Sequence, residues 1–281
     1  MEHFLWRSSM PVPPDELWAW HARPGALERL TPPWERVRVV ARTGGLEDGT
    51  RIALVVPVGP LRLTWVSRHH HVTPGRYFVD EQIQGPFVRW VHTHVMLPDG
   101  PSASILEDRI EYAAPGGPVG RALAGWLVPG RLEAMFRYRH DTLRADLSEH
   151  ARYAARPRLT VAMTGSGGML GTALRHFLTT GGHRVIRLVR RPSTDPDTAL
   201  WDPERGLIEP ERLPAIDAVI HLAGASIAGG RWNEARKAAI ARSRSVGTRS
   251  LAESIARLPV RPAAFLAASA VGFYGSRVDP V

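Results

Sequence analysis

The chain has no cysteine and only one lysine, Lys237, among its 36 basic residues. The missing cysteines exclude disulfide frameworks and cysteine-ligated zinc, and they fit a reducing compartment. The near-absence of lysine beside so much arginine reads as a biased genome rather than a functional choice. Long apolar runs are missing too. Residues 52–58 form one of the longest, well short of a membrane span, and the first residues lack the apolar core of a signal peptide. The expectation is a cytoplasmic protein with no membrane partner.

A chain of 281 residues with 44% hydrophobic and 22% charged residues has material for two packed domains and is not disordered. Its net charge of +9 invites a nucleic-acid reading, but the charge is unevenly placed. Residues 1–150 balance 17 arginines against 17 acids, whereas residues 151–281 carry 19 basic and 10 acidic side chains. Much of that excess falls in one candidate helix (Arg231, Arg236, Lys237, Arg242, Arg244, Arg249), and no helix-turn-helix, zinc finger or RNA-binding aromatic pattern accompanies it. No nucleic-acid partner is expected.

The most informative stretch is residues 161–171. A short apolar run from Val161 leads into Gly165, Ser166, Gly168, Met169, Leu170 and Gly171, followed by apolar residues at helical spacing. Glycines so placed let a strand turn tightly into a helix, let the backbone approach a pyrophosphate, and let helix and strand pack closely. The N–H groups of Met169 and Leu170 at the helix start then face the anion, with the helix dipole behind them. Beyond this point strand and helix alternate: strand 159–163, helix 169–180, strand 184–189, a long loop 191–216 with a small excursion near Trp201, strand 218–222, helix 233–257 and strand 264–268. Such alternation implies parallel strands with helical crossovers on both faces. The second strand ends at Arg190 and Arg191, where a fold specialised for NAD places an acid for the ribose hydroxyl. Arginine there favours the 2′-phosphate of NADP, with NAD as the alternative.

The first half reads differently. A strand over 4–10 and two short helices, 13–20 and 25–30, precede six strand candidates (37–42, 50–56, 61–71, 77–84, 88–97 and 102–112) separated by turn signals. A short helix at 119–128 and a longer one at 131–147 follow, divided at Pro129-Gly130. This order suggests a curved antiparallel sheet gripping a helix over a cavity for a small apolar or aromatic ligand. With Trp90–His94, Leu106–Tyr112 and Met135–Arg139 as its later strands and final helix, residues 1–150 resemble the START-like, polyketide-cyclase-like (SRPBCC) family, an α+β helix-grip fold. Residues 151–157 form the linker.

Residues 158–281 resemble the extended short-chain dehydrogenase/reductase superfamily, nearest its epimerase-like subgroup, which some members fuse to a START-like domain. Four segments in order carry the likeness: 164–171, 217–225, 243–249 and 269–275. The implied fold is an α/β Rossmann-type doubly wound parallel sheet, of which this stretch is the front part. The resemblance also implies that Leu222, Ala223 and Gly224 lie against the adenosine and its ribose. It implies that Ser269, at a strand C-terminus, hydrogen-bonds a small-molecule substrate beside a catalytic tyrosine. The family's Tyr-x-x-x-Lys pair does not occur in residues 1–281: Tyr274 has Val278 four positions on. The expected activity is NADP-dependent hydride transfer at a carbinol or carbonyl carbon, with a non-catalytic dinucleotide- and ligand-binding sensor as the alternative. A homodimer is an admissible assembly.

Two histidine clusters complete the reading. His69 with His71, and His92 with His94, each fall on one face of a strand, and adjacent strands would gather four imidazoles. No acid is spaced to join them, so they are read as pocket-lining histidines and no metal is expected.

Overall fold

The computed structural model describes residues 1–269, which form two compact units, 1–156 and 157 onward. In the first, β1 (Glu2–Met10) leads through α1 (Pro14–Ala22) and α2 (Ala26–Leu30) into β2 (Arg38–Arg42), β3 (Arg51–Val58), β4 (Leu61–Thr73), β5 (Tyr77–Gln84), β6 (Arg89–Pro98) and β7 (Ser104–Ala113). All seven strands make one antiparallel sheet in the order β1-β7-β6-β5-β4-β3-β2. A long helix, α3 (Gly117–Arg152), closes the unit.

Alternation along the strands decides which face is gripped. Trp90, His92, His94 and Met96 are the buried positions of β6, and Ser104, Leu106, Asp108, Ile110 and Tyr112 are buried on β7. α3 covers this face with Leu132, Phe136, His140, Leu143 and Leu147, all buried, spaced at three, four and seven residues as an amphipathic helix requires. The Phe136 ring lies 5.3 Å from those of Phe4 and His92. At the other end, Arg29 of α2 donates from Nε to buried Asp146 of α3 at 2.8 Å.

Two expectations are corrected here. α3 is one continuous helix, with Pro129 inside it, rather than two helices divided at Pro129-Gly130. Proline removes one backbone donor from the ladder, and flanking turns carry the helix through. β4 also fails to keep His69 and His71 on one face. A register shift falls between His70 and Thr73, His71 takes a left-handed φ of 51°, and its side chain is exposed while that of His69 is buried.

The second unit contains β8 (Thr160–Thr164), α4 (Met169–Thr180), β9 (Arg184–Val189), β10 (Thr198–Asp202), β11 (Leu207–Ile208), β12 (Ala218–His221), α5 (Glu234–Ala256) and β13 (Ala264–Ala267). The sheet order is β11-β10-β9-β8-β12-β13. β8, β9, β10, β12 and β13 run parallel, and β11 folds back antiparallel on β10. The chain moves outward from β8 on one side and then crosses to its other flank at β12, which is the reversal that defines a doubly wound sheet. The excursion expected near Trp201 is instead a third parallel strand with its hairpin, reached from β9 by a loop without a helix. Trp201 and Ala199 are buried with Ile186, Val219 and Leu251 in the core of this unit.

Phe136 is fully buried beneath α3, so Phe136→Ala is expected to destabilise the first unit by about 3–5 kcal/mol. Urea unfolding followed by tryptophan fluorescence measures this.

Candidate functional site

The C-terminal ends of β8, β9, β12 and β13 carry every residue singled out for the dinucleotide and substrate. Gly165 follows β8, Arg190 follows β9, Leu222 follows β12, and Ser269 lies two residues beyond β13. Parallel strands deliver their following loops to one edge, so these segments share the crevice outside the strand ends.

Gly165 has a φ of 67°, a conformation that favours glycine. A Cβ placed on it would lie 2.7 Å from the carbonyl carbon of Leu222. One placed on Gly171 would lie 2.1 Å from the Gly165 carbonyl oxygen. Neither position admits a side chain, and the β8–α4 turn is therefore pressed directly onto the loop after β12. Thr164, fully buried, clamps the two together: its Oγ1 accepts from the N–H groups of Leu222 and Ala223 at 3.1 and 3.2 Å. With both lone pairs engaged, the hydroxyl proton is directed to Nδ1 of His221, 2.6 Å away. His221 is buried, and desolvation lowers its pKa. The ring packs edge-on to Trp201 at 5.7 Å, the setting of a packed histidine rather than a catalytic one.

α4 begins at Gly168 with no side-chain cap and no acidic residue in its first turn. The first N–H groups of a helix have no intrahelical acceptor, and Met169 and Leu170 stand largely exposed at that end. The crevice thus offers backbone donors and the positive end of a helix dipole, with no acidic residue in the helix's first turn. Ser166 is buried in the turn, and Arg190 and Arg191 are exposed past β9. Two residues of α5 hold the third segment. Ser243 Oγ accepts from the Ala225 N–H at 2.9 Å, and Arg244 donates to the Ala225 carbonyl at 3.2 Å. These contacts fix the loop containing Gly224. Ser269 is exposed; Tyr274 lies outside the described residues. The backbone cradle fits a pyrophosphate-bearing coenzyme, because the space two side chains would fill is kept for main chain.

The first unit holds a second concentration of chemistry, which the sequence did not disclose. β5 lies between β4 and β6, so the two histidine strands are not adjacent. What β5 inserts between them is Asp80, paired in register with His69 on one side and His92 on the other. His94 is paired with Asp108 of β7. The expectation that no acid accompanies the histidines is corrected by these two carboxylates. His69 Nε2 lies 2.8 Å from Asp80 Oδ1, and His94 Nε2 lies 3.4 Å from Asp80 Oδ2. Asp108 Oδ1 lies 2.8 Å from His92 Nε2 and 2.7 Å from His94 Nδ1, while His140 of α3 reaches Oδ2 at 2.6 Å.

Burial sets the protonation of this group. It lowers His21 and His92 to about 4. Burial also acts against the charged form of His94, but the charge and contacts of Asp108 and Asp80 carry that ring to about 9. Both carboxylates resist the same desolvation through their histidine neighbours and are held well below the usual range. The adjoining cavity has a volume of about 10 Å³ and is bounded by His21, His94, Asp108, Arg139 and His140 beside Leu106 and Phe136. That is room for roughly one water molecule.

Comparison with known proteins agrees with this division. The NAD dependent epimerase/dehydratase family matches residues 161–280, and the polyketide cyclase/dehydrase and lipid transport family matches residues 10–136. An epimerase family protein of Mycobacterium bovis is 40% identical over 121 residues, covering 43% of this chain and 40% of that protein. The crystal structure of a nucleoside-diphosphate sugar epimerase from Corynebacterium glutamicum is 33% identical, with a TM-score of 0.76, over 99% of this chain and 57% of that one. The human epimerase family protein SDR39U1, crystallised with NADPH, is 33% identical over 42% of this chain and 39% of its own, with a TM-score of 0.38. The chain therefore spans only part of the length of these relatives. No described helix is long and apolar enough to cross a membrane. The chain joins an N-terminal polyketide-cyclase-like (SRPBCC-like) domain to an epimerase-like domain of the short-chain dehydrogenase/reductase type.

Proposed function

We propose that the chain is the coenzyme-binding part of an NADP-dependent oxidoreductase or epimerase acting at a carbinol or carbonyl carbon. The observation that carries this reading is the cradle at Gly165 and Gly171, where main chain occupies the positions side chains would take. Gly165, Ser166, Gly168 and Gly171 shape the turn, and the N–H groups of Met169 and Leu170 bind the pyrophosphate. Arg190, with Arg191 beside it, holds the 2′-phosphate. Leu222, Ala223 and Gly224 line the adenosine side, kept in place by Thr164, Ser243 and Arg244. Ser269 donates a hydrogen bond to the substrate oxygen. When bound, the coenzyme supplies or accepts the hydride. The substrate class is a nucleoside-diphosphate sugar or a related hydroxylated compound, on the likeness to the Corynebacterium protein.

The N-terminal domain is read as binding a small, largely aromatic ligand. Support comes from the family it matches and from an interior walled by aromatic rings, including Phe4, Trp6 and Phe136, above a polar floor. With so small a cavity in place, entry requires those rings to move apart.

Calorimetric titration of the folded protein is expected to show one NADPH site, and the absence of heat with either coenzyme overturns the reading. Gly171→Ala, with circular dichroism unchanged, is expected to weaken NADPH at least tenfold, about 1.4 kcal/mol. Loss of the charge-assisted contact in Arg190→Asp is expected to cost NADPH about 1.5–3 kcal/mol while sparing NADH; an unchanged NADPH:NADH ratio removes Arg190 from the site.

A further inference from the structure

The buried histidines and carboxylates of the N-terminal domain are arranged as a metal centre with its supporting shell already in place. Asp80, His92 and His94 each offer one ligand atom, and these atoms all lie within 4.8 Å of one another. They come from two adjacent strands of a regular sheet, which hold donors more rigidly than loops do. The 3.4 Å between His94 Nε2 and Asp80 Oδ2 is long for a hydrogen bond. It is close to the spacing of two ligands sharing one tetrahedral ion, roughly 3.3 Å for bonds of 2.0–2.1 Å.

Two neighbouring groups sit against the far atoms of His94 and Asp80. Asp108 sits against Nδ1 of His94, leaving Nε2 directed at Asp80. This is the carboxylate–histidine–metal relay that fixes ring orientation in such sites. His69 does the same for the carboxylate, touching Asp80 Oδ1 and leaving Oδ2 for the ion.

We propose that Asp80, His92 and His94 form a binding site for a divalent first-row transition metal, with zinc as the ion to test, supported by Asp108 and His69. Two imidazoles and one carboxylate select such an ion over magnesium or calcium, which require mostly oxygen ligands.

The test uses the full chain without an affinity tag, stripped with a chelator and then equilibrated with Zn²⁺ or Co²⁺. Elemental analysis after gel filtration is expected to find one ion per chain, with a raised melting temperature and the intense visible absorption of four-coordinate cobalt. Asp80→Asn and His94→Gln should lower the affinity at least tenfold, whereas exposed His71→Gln should leave it unchanged. A folded wild-type protein that retains no ion, or that binds cobalt only with the faint spectrum of a hydrated surface site, overturns the proposal, and the cluster is then a proton-sharing network alone. Undiminished binding in His94→Gln overturns it as well. If that variant does not fold, the wild-type cobalt spectrum decides. Because nicotinamide coenzymes bind the other domain, none of these readouts depends on the NADP assignment.

Discussion

Backbone lies against backbone at Gly165, and the architecture of the C-terminal domain rests on that contact. The turn after β8 touches the loop after β12 with no side chain between them. This lets the central strand pass into α4 within a few residues and places the helix N-terminus over the crevice. Thr164 completes the junction by accepting from two N–H groups of the β12 loop. One buried hydroxyl thereby ties the β8–α4 turn to the loop after β12. Ser243 and Arg244 repeat the device from α5. The crevice is held in shape by side-chain hydrogen bonds to main chain.

The N-terminal domain solves a different problem. Burying two carboxylates is costly unless their charge is compensated. The compensation is arranged around His94, which faces Asp108 and Asp80 from one strand, and is extended by His69, His92 and His140. Buried Asp, His and Arg side chains under a helix specify its register more tightly than an apolar interface does, because each has few alternative partners.

Much of this organisation was legible in the residues. The glycine spacing around 165–171 identified strand, turn and helix together, because each glycine is demanded by backbone sterics rather than by packing preference. The hairpin strands of the first domain could be read from alternation, and α3 from its apolar spacing. Other features depended on tertiary context. Pro129 suggested a break, but α3 runs through it. The strand around Trp201 is flanked by polar residues and has no clear alternation, so only its burial against Ile186 and Val219 reveals it. Asp80 and Asp108 were invisible as partners of the histidines, since register across three strands, and the bulge that ejects His71, decide who meets whom. Thr164 carried no signal beyond its place before the first glycine.

The pairing of β1 with β7 has a consequence for biosynthesis. Glu2 meets Tyr112 and Met10 meets Ser104, so β1 is made well before its partner, the last strand of its sheet. At ordinary elongation rates it waits roughly 5–20 s for its mate. Meanwhile its alternating Phe4, Trp6 and Met10 present an unmated β-strand to solvent or to a chaperone. Closure over such sequence separation is a slow step in chain collapse, which places the vulnerable interval of this protein's life before its second domain has been translated.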